Sequence, residues 1–346
     1  MHTPTQGRMA PAEEVFMRSR IVTSLFALMV IALVVGTTAA PLRAEYPDKP
    51  IEIVVPFVAG GGTDLIARLV ADHLGKKWNQ PILVVNKAGG GGVPGARAVL
   101  KEARADGYTV LMDIHTTSSM LIGAQKTPPL TLADRKYAAR IVRDPMVFAV
   151  KADAPWKTFK EFSEWVKGHP GELVWSSVGP AGPSRYTAFD WMSQIGVDPA
   201  KTKMVITPGA ADSMTKLAGG HVVLAIHSVA EAHAMREAGK IRLLAVLAPS
   251  RLPALPDVPT AEEQGVIKGT RVQWWAAAAF PAATPDAVVR KWEAALGELT
   301  RDPQFLASAQ RINMNVDYLN AADTRAFVEK EVAGYTEMAT AIGIRR

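Results

Sequence analysis

The sequence predicts an α/β fold with two lobes, and three observations support this expectation. Short apolar runs alternate with amphipathic stretches at helical spacing along residues 51–279, a pattern typical of strands connected by helices in parallel sheets. The number of these segments suggests two α/β lobes, and the chain is long enough for two domains of ordinary size. After residue 284 the pattern is mostly helical.

Nine strands are predicted, each an apolar or β-branched run between turn signals: residues 51–56, 81–85, 109–113, 146–150, 173–176, 203–206, 222–226, 241–247 and 273–279. Six helices separate them: residues 64–77, 95–103, 158–167, 184–195, 211–218 and 229–238. Three more are predicted to begin at Pro285, at Asp302-Pro303 and at Ala322-Asp323. Ligands bind beyond the carboxyl ends of strands in open parallel sheets, so the loops after these strands form the candidate site.

The turn after the first predicted strand is the most informative stretch. Residues 53–55 are a continuous apolar run, glycines occupy positions 60–62, and Thr63 and Asp64 suit the start of a helix. Glycine lets a backbone approach a ligand closely, and free N–H groups at a helix start favour an anion. The turn is therefore a candidate site for a carboxylate or phosphate, with an ordinary tight turn as the alternative.

The N-terminus has the order of a secretory signal. Two arginines precede an apolar run over residues 21–35, and small residues follow. The run is short for a transmembrane helix. We predict that residues 1–44 are a signal region with Met17 as the true initiator and cleavage after Ala44, so that the remainder is exported; an uncleaved tether is the alternative.

The composition excludes several kinds of function. The chain has no cysteine, so it has no disulfide, no thiolate metal site and no cysteine nucleophile. The first 44 residues hold four arginines and two glutamates, so the remainder carries 35 basic and 31 acidic residues, a net charge of +4. The basic residues are scattered, so no nucleic-acid partner is predicted, whereas an anionic small ligand is compatible with the charge.

Five other predicted strands end in loops that carry glycine or polar side chains: residues 86–95, 115–119, 177–185, 207–211 and 227–228. Each alone is consistent with an ordinary turn, but together they predict a shared cleft. Gly90, Gly92 and Gly95 match the dinucleotide pattern G-x-G-x-x-G. We reject a dinucleotide site because the strand is the second of its sheet and an exported protein rarely meets a nicotinamide cofactor. No cofactor is predicted.

No constellation typical of an enzyme occurs in the sequence. There is no G-x-S-x-G, H-E-x-x-H or P-loop motif. His221, His227 and His233 are spaced so that they would not share a helix face, so no metal site is predicted. Trp274 and Trp275 are interpreted as core and hinge residues, with a ligand-facing ring as the alternative. A hydroxyl-rich cleft without a visible base suits reversible binding better than turnover.

Seven motifs occur in order along the chain: residues 46–64 (YPDKPIEIVVPFVAGGGTD), 84–96 (VVNKAGGGGVPGA), 106–111 (DGYTVL), 170–173 (PGEL), 238–246 (AGKIRLLAV), 251–265 (RLPALPDVPTAEEQG) and 280–285 (FPAATP). With these motifs the chain resembles the substrate-binding proteins of tripartite tricarboxylate transporters, the TctC/Bug family. The resemblance covers nearly all of residues 46–346.

The resemblance implies a two-lobed α/β fold like that of type II periplasmic binding proteins, with two crossover strands. Such proteins lie in the periplasm, close on a small carboxylate and deliver it to the permease subunits in the membrane. On this basis we expect a monomer with one lobe of residues 45–144 and 269–346, and a second lobe of residues 145–268. Hinges are expected near residues 143–150 and 270–276.

In the family, the first glycine loop and a loop of the second lobe hold the carboxylate through backbone N–H groups, hydroxyls and water. The matching positions of this chain are Phe57, Ala59, Gly60, Gly61, Gly62, Asp64, Ser177, Gly179, Ser184 and Arg185. The remaining polar loops add six candidates: Thr116, Ser118, Thr207, Gly209, Ala210 and His227.

The second-lobe loops depart from the family pattern. Ala181, Gly182 and Arg185 replace its usual glycine, serine and histidine, and the next loop lacks an aromatic residue and a lysine. We hypothesise that Arg185 compensates for the lysine, because a guanidinium can hold a carboxylate through two hydrogen bonds. The alternative is that Arg185 lies on the helix surface.

Two other functions remain open. One is a ligand-binding accessory of a membrane sensor kinase, and the other is a secreted enzyme that acts on a small acid. A binding protein for transport and one for sensing differ in the partner surface, which the sequence does not reveal.

Overall fold

The computed structural model describes residues 45–179, 182–269, 272–341 and 343–345. Tyr46–Arg346 form one compact unit, and of the other unit, Met1–Glu45, only Glu45 is described. The predicted signal and its initiator therefore lie outside the described residues. In the described part of the chain, no helix is long and apolar enough to cross a membrane.

The described residues contain ten strands, β1 to β10: Ile51–Val55, Ile82–Asn86, Thr109–Ile114, Arg135–Lys151, Val174–Val178, Lys203–Thr207, Leu224–Ser228, Ile241–Val246, Gln273–Pro281 and Val316–Leu319. They also contain ten α-helices, α1 to α10: Gly62–Trp78, Val93–Arg97, Ser119–Ala124, Phe159–Gly168, Pro183–Gln194, Ala210–Ala218, Val229–Glu237, Asp286–Leu299, Pro303–Arg311 and Ala321–Ala341. The predicted α/β fold is confirmed.

The strands form a continuous sheet in the order β2-β1-β3-β9-β4-β7-β5-β6, with β8 and β10 also paired to β4. β1 runs parallel to β2 and β3, and β5 runs parallel to β6 and β7. β9 and β4 run antiparallel to their neighbours. The sheet therefore consists of two parallel groups, one around β1 and one around β5, which are joined through β9 and β4.

Strand β4 belongs to both groups. Its residues 135–145 pair with β9, and its residues 146–151 pair with β7 and β8. The sequence predicted a strand only over the second half of β4, so that prediction was too short. The first half was missed because charged residues interrupt its apolar pattern. The fold buries one of these charges in an ion pair: Nη1 of Arg135 lies 2.6 Å from Oδ2 of Asp113, and both side chains are fully buried. The sequence also missed the short elements β10 and α3.

The β1–α1 unit forms a rigid base for the first glycine loop. Ile53, Val54 and Val55 of β1 are fully buried, as predicted for a strand covered on both faces. Ile66 and Val70 of α1 are equally buried and belong to the same core cluster as Ile53. Burying side chains of this size contributes about 1.5–3 kcal/mol each, so the loop between β1 and α1 is anchored at both ends.

Candidate ligand-binding cleft

A cleft lies at the carboxyl ends of strands from both parallel groups, where the sequence analysis placed the candidate site. Its walls are formed by 15 residues: Phe57, Val58, Gly61, Gly62, Thr63, Ile114, His115, Thr116, Val178, Pro183, Gly209, Ala210, His227, Glu231 and Trp274. The residues after β1 and β3, together with Trp274 of β9, form the first wall. The residues at the ends of β5, β6 and β7 form the second wall.

Three helices begin at this cleft without a side-chain cap. Their N-cap residues are Gly61 for α1, Gly182 for α5 and Gly209 for α6, and none of these glycines can offer a capping oxygen. The first residue of each helix lines the cleft. The sequence had placed the start of α1 at Thr63 and Asp64, whereas the helix begins at Gly62. The first N–H groups of α1 and α6 lack intrahelical acceptors, whereas α5 begins with Pro183, which has no N–H and adds only the dipole of its helix. The three helix starts therefore favour an anion between the walls.

Asp64 holds the first loop in place. Its carboxylate accepts hydrogen bonds from the Gly60 N–H at 3.0 Å, from Arg68 at 2.9 Å and from the Asn86 amide at 3.0 Å. Burial alone would raise the pKa of Asp64, but these hydrogen bonds outweigh it and keep the pKa below its ordinary value. The Asn86 amide also donates to the Phe57 carbonyl at 3.0 Å. Asp64 therefore shapes the loop and is not part of the cleft wall.

The predicted site residues divide into two groups. Seven of the sixteen line the cleft: Phe57, Gly61, Gly62, Thr116, Gly209, Ala210 and His227. Nine lie outside the lining: Ala59, Gly60, Asp64, Ser118, Ser177, Gly179, Ser184, Arg185 and Thr207. Eight further lining residues were not among the predicted site residues: Val58, Thr63, Ile114, His115, Val178, Pro183, Glu231 and Trp274. Of the two tryptophans for which a ligand-facing ring was the alternative, Trp274 lines the cleft and Trp275 does not.

Four predicted hydroxyl ligands instead bind other parts of the protein. The Ser118 hydroxyl lies 2.5 Å from the Tyr137 hydroxyl, and the Ser184 hydroxyl donates to the Ile226 carbonyl at 2.6 Å. Ser177 donates to the Gly179 carbonyl at 3.1 Å, and Thr207 donates to the Ser177 carbonyl at 3.4 Å. All four side chains are buried. These hydrogen bonds hold the loops of the cleft in place. The sequence pattern alone does not distinguish a hydroxyl with this role from one that contacts a ligand.

Arg185 lies in α5, with its guanidinium carbon 5.1 Å from the centre of the Phe189 ring one turn along the helix. This is the geometry of a cation–π contact. Arg185 is not among the cleft-lining residues. Arg185 is half-buried, so it is not a plain surface residue either.

A buried chain of polar groups runs behind the second wall. Ser176 Oγ lies 2.5 Å from Ser213 Oγ, and Ser213 Oγ lies 2.8 Å from Nε2 of His227. Nδ1 of His227 lies 3.3 Å from Oε2 of Glu231. Serine, histidine and glutamate follow one another here as in a hydrolase triad. Ser213 is fully buried and outside the cleft lining, however, so its hydroxyl is not presented to a molecule in the cleft.

Glu231 is the acidic residue of the cleft wall. It is the third residue of α7, and its carboxylate accepts a hydrogen bond from the N–H of the N-cap Ser228 at 3.1 Å. Burial alone would raise the pKa of Glu231, but the hydrogen bond and charge interaction with His227, helped by Ser228, lower the pKa below its ordinary value. The Ser228-x-x-Glu231 capping pattern was readable in the sequence, but it indicates only a helix start. Its position in the cleft follows from the tertiary fold.

His115 and Thr116 line the cleft with polar atoms that have no partner among the described residues. Neither ring nitrogen of His115 makes a hydrogen bond of ordinary geometry, and the Thr116 hydroxyl makes none. Burial lowers the pKa of His115 to about 3, although the nearby charge of Glu231 acts in the opposite direction. His115 is therefore a neutral imidazole at neutral pH, able to donate one hydrogen bond and accept another.

The two walls lie close together. A β-carbon on Gly62 would stand 3.2 Å from Cζ2 of Trp274 and 3.3 Å from Cγ of Glu231, so three residues crowd one point of the cleft. The space that water molecules can enter is about 30 Å³, room for about two waters. A ligand with several non-hydrogen atoms can therefore enter only if the walls move apart.

The fold is that of the periplasmic binding proteins among the solved structures. The chain belongs to the tripartite tricarboxylate transporter receptor family, whose sequence model matches residues 66–344. Among curated relatives, a UPF0065 protein of Bordetella pertussis is 32% identical over 277 residues, which is 80% of this chain and 84% of the relative. The protein BugT of the same organism is 29% identical over 271 residues, 77% of this chain and 82% of its own length.

Solved structures support the same class. The periplasmic binding protein BugD is 28% identical with a TM-score of 0.76, over 87% of this chain and 99% of the BugD chain. A protein of R. palustris solved with adipate is 26% identical with a TM-score of 0.81, over 86% of this chain and 99% of the other. The predicted TctC/Bug membership and the type II-like periplasmic binding protein fold are thus confirmed.

Proposed function

We propose that this protein captures a small carboxylate between two lobes in the periplasm and delivers it to the permease of a tripartite tricarboxylate transporter. The observation that carries the proposal is the convergence of three uncapped helix starts on one cleft. Each helix start carries roughly half a positive charge, and the starts of α1 and α6 also provide unpaired N–H groups, whereas α5 begins with Pro183, which has no N–H. A carboxylate can satisfy these groups without any lysine or arginine in the wall.

The lobes of this proposal are residues 45–144 with 269–346, and residues 145–268. The division falls at the point where β4 leaves the first strand group and enters the second. One expected hinge, residues 143–150, contains this point; the other, near 270–276, includes two residues outside those described. Ligand binding closes the lobes because a molecule that contacts both walls has a higher affinity for the closed state.

The relatives favour a carboxylate as the ligand class. The R. palustris relative was solved with adipate, a dicarboxylate, and the family itself is described as a receptor of tricarboxylate transport. The lining of our cleft is mostly apolar around its helix starts, with Phe57, Val58, Ile114, Val178 and Trp274 among its residues. Such a lining suits the carbon skeleton of a small organic acid.

The order of Ser213, His227 and Glu231 is the one observation that favours a secreted enzyme. Because the Ser213 hydroxyl is buried away from the cleft, we give this function second place. Replacing Ser213 with alanine separates the two: a binding protein keeps its affinity for the ligand, whereas an enzyme that uses this serine loses all turnover of small esters.

A thermal-shift screen of dicarboxylates, tricarboxylates, amino acids and aromatic acids tests the proposal. A ligand at 100 times its dissociation constant stabilises the folded state by about 2.7 kcal/mol, enough to raise the melting temperature by several degrees. We expect such a rise with at least one acid. If no acid shifts the transition at millimolar concentration, the proposed function is wrong.

A further inference from the structure

Glu231 places a fixed negative charge in a cleft that otherwise favours anions. Its side chain is 11% exposed and lies on the wall opposite α1. His227 and Ser228 bind its Oε2 atom. Among the described residues, Glu231 pairs with His227 and with no lysine or arginine.

The hydrogen bonds of His227 fit one tautomer of its ring. A neutral imidazole can donate from Nδ1 to Glu231 while Nε2 accepts from the Ser213 hydroxyl, which in turn accepts from Ser176. Every group in that chain is then satisfied. In this tautomer the contact with Glu231 is made by a neutral N–H group, so an ammonium group of a ligand can supply a positive charge beside Glu231.

The second oxygen of Glu231 faces the start of α1. A β-carbon on Gly62 would stand 3.5 Å from Oε1 of Glu231, and no hydrogen bond to this oxygen occurs among the described residues. Gly62 and Thr63 form the first turn of α1, whose N–H groups favour a carboxylate. An anion site and a cation site are thus next to each other. A ligand carboxylate bound at α1 would be repelled by Glu231 unless the ligand also carried a positive charge close to that carboxylate.

We propose that the cleft selects an α-amino carboxylate, with its carboxylate on the first turn of α1 and its ammonium group on Glu231. An α-amino acid carries these two groups on one carbon atom, which matches the two adjacent sites. This inference rests on the proposed function and names its ligand class. Glu231 is then a specificity-determining residue rather than only a helix cap.

His115 and Thr116 supply an independent indication of a ligand. Both are more than nine-tenths buried, both line the cleft, and their polar side-chain atoms have no hydrogen-bond partner among the described residues. A buried polar group without a partner costs about 1–3 kcal/mol, and a ligand that hydrogen-bonds to these groups removes that cost. The neutral His115 can accept from an ammonium group or donate to a carboxylate.

Calorimetric titration with matched pairs of compounds tests the inference. L-aspartate and succinate differ only by the ammonium group, and L-norvaline and pentanoate form a second pair. For the unchanged protein we expect the amino acid of at least one pair to bind about ten-fold or more tightly than its partner, the effect of a hydrogen bond to a charged group. This comparison needs no variant, so it stands even if a variant fails to fold.

The Glu231→Gln variant removes the charge and keeps an oxygen that can accept from Ser228. We expect it to abolish the preference for the amino acid and to strengthen binding of the acid without the ammonium group. Glu161→Gln is the matched control, because Glu161 is also the third residue of a capped helix, α4, but is exposed and outside the cleft. It should keep the preference of the unchanged protein.

Three results would overturn the inference. One is that succinate and pentanoate bind the unchanged protein as tightly as their amino counterparts while binding itself is clear; the proposed carboxylate function then survives alone. Another is that Glu231→Gln strengthens both members of a pair equally, which would show that Glu231 competes with the ligand carboxylate. Absence of binding by all four compounds and by every acid of the thermal-shift screen would overturn the proposed function as well.

Discussion

Val58 and Gly209 meet across the cleft: a β-carbon on Gly209 would stand 2.6 Å from Cγ2 of Val58. Val58 follows β1 and Gly209 precedes α6, so the contact joins the two walls. Gly179 makes a second contact of this kind, since its β-carbon would stand 3.2 Å from Cα of Gly91. The closed arrangement of the walls therefore depends on small residues at their points of contact.

Gly209→Ala should weaken ligand binding by hindering closure. The φ angle of Gly209 is −175°, extended backbone that alanine also adopts, so the fold itself should keep its stability. Overpacking of this kind costs about 1–3 kcal/mol, about five-fold to a hundred-fold in the dissociation constant. Calorimetry gives the affinity, and thermal unfolding of the ligand-free protein gives the control.

The double variant Gly209→Ala with Val58→Ala tests whether contact between the two walls causes the weaker ligand binding. Removing the Val58 methyl groups makes room for the new β-carbon, so the affinity should recover. If the double variant binds as weakly as Gly209→Ala alone, steric hindrance between the walls is not the reason for the loss.

Asp144→Asn should stabilise the protein, and increasingly so as the pH rises from 5 to 8. Asp144 is buried on β4, and this burial raises its pKa to about 8. A hydrogen bond from the Asn315 N–H at 2.7 Å lowers the pKa, and the charge of Glu231 raises it further. Above pH 4 the unfolded chain releases this proton while the folded chain keeps it, so the stability falls with rising pH until the folded group also ionises near pH 8.

Asparagine in place of Asp144 keeps an oxygen for the Asn315 N–H and has no proton to lose. Denaturant unfolding at several pH values should therefore show a difference between variant and parent that grows up to about pH 8. The opposite slope, or a constant difference, would contradict a protonated Asp144 in the fold.

Asp64→Ala should lower both the stability and the affinity for ligand. The substitution leaves the Gly60 N–H, Arg68 and Asn86 without their common acceptor, and hydrogen bonds to a charged group contribute about 1.5–3 kcal/mol. Its pKa is lowered in the fold, so the contribution of Asp64 is present above the pKa of the unfolded chain and is lost as the pH falls through the folded value. Unfolding curves of the parent and the variant at pH 7 and in acid measure this contribution. An equal loss of stability at both pH values would contradict a charged Asp64 as its source.

At Arg185 the sequence hypothesis and the observed geometry predict different results. A carboxylate clamp requires that Arg185→Ala weaken binding ten-fold or more, on the order of 1.5–3 kcal/mol. The contact with Phe189 and the position outside the cleft lining lead us to expect a change of less than about two-fold, with a small loss of stability from the lost cation–π contact. Calorimetry on this single variant separates the two roles.

The sequence predicted the parts of the fold that local pattern controls. The apolar run of β1, the glycines after it and the amphipathic α1 were found because each shows its own periodicity or turn chemistry. The first half of β4 was missed because Arg135 is buried against Asp113, a partner 22 positions earlier that no local pattern reveals. Hydropathy treats such an arginine as exposed.

The sequence predicted the position of the candidate cleft better than it predicted which side chains line it. Strand ends and glycine turns pointed to the cleft, but the roles of individual hydroxyls depend on partners that only the fold brings near, as Ser184 shows by binding the Ile226 carbonyl. Glu231 was missed for the same reason, because in the sequence it is only the acidic residue of a helix cap. The docking of α7 against Gly62 turns that cap into part of the cleft.

The central claim is that the cleft binds a small organic acid reversibly and leaves it unchanged. Titration calorimetry of the purified protein with dicarboxylates, tricarboxylates and amino acids, followed by NMR of the ligand released on denaturation, measures this directly. We predict saturable one-to-one binding of at least one acid, which is recovered intact. The account is contradicted if none of these acids binds, or if the recovered compound differs from the one that was added.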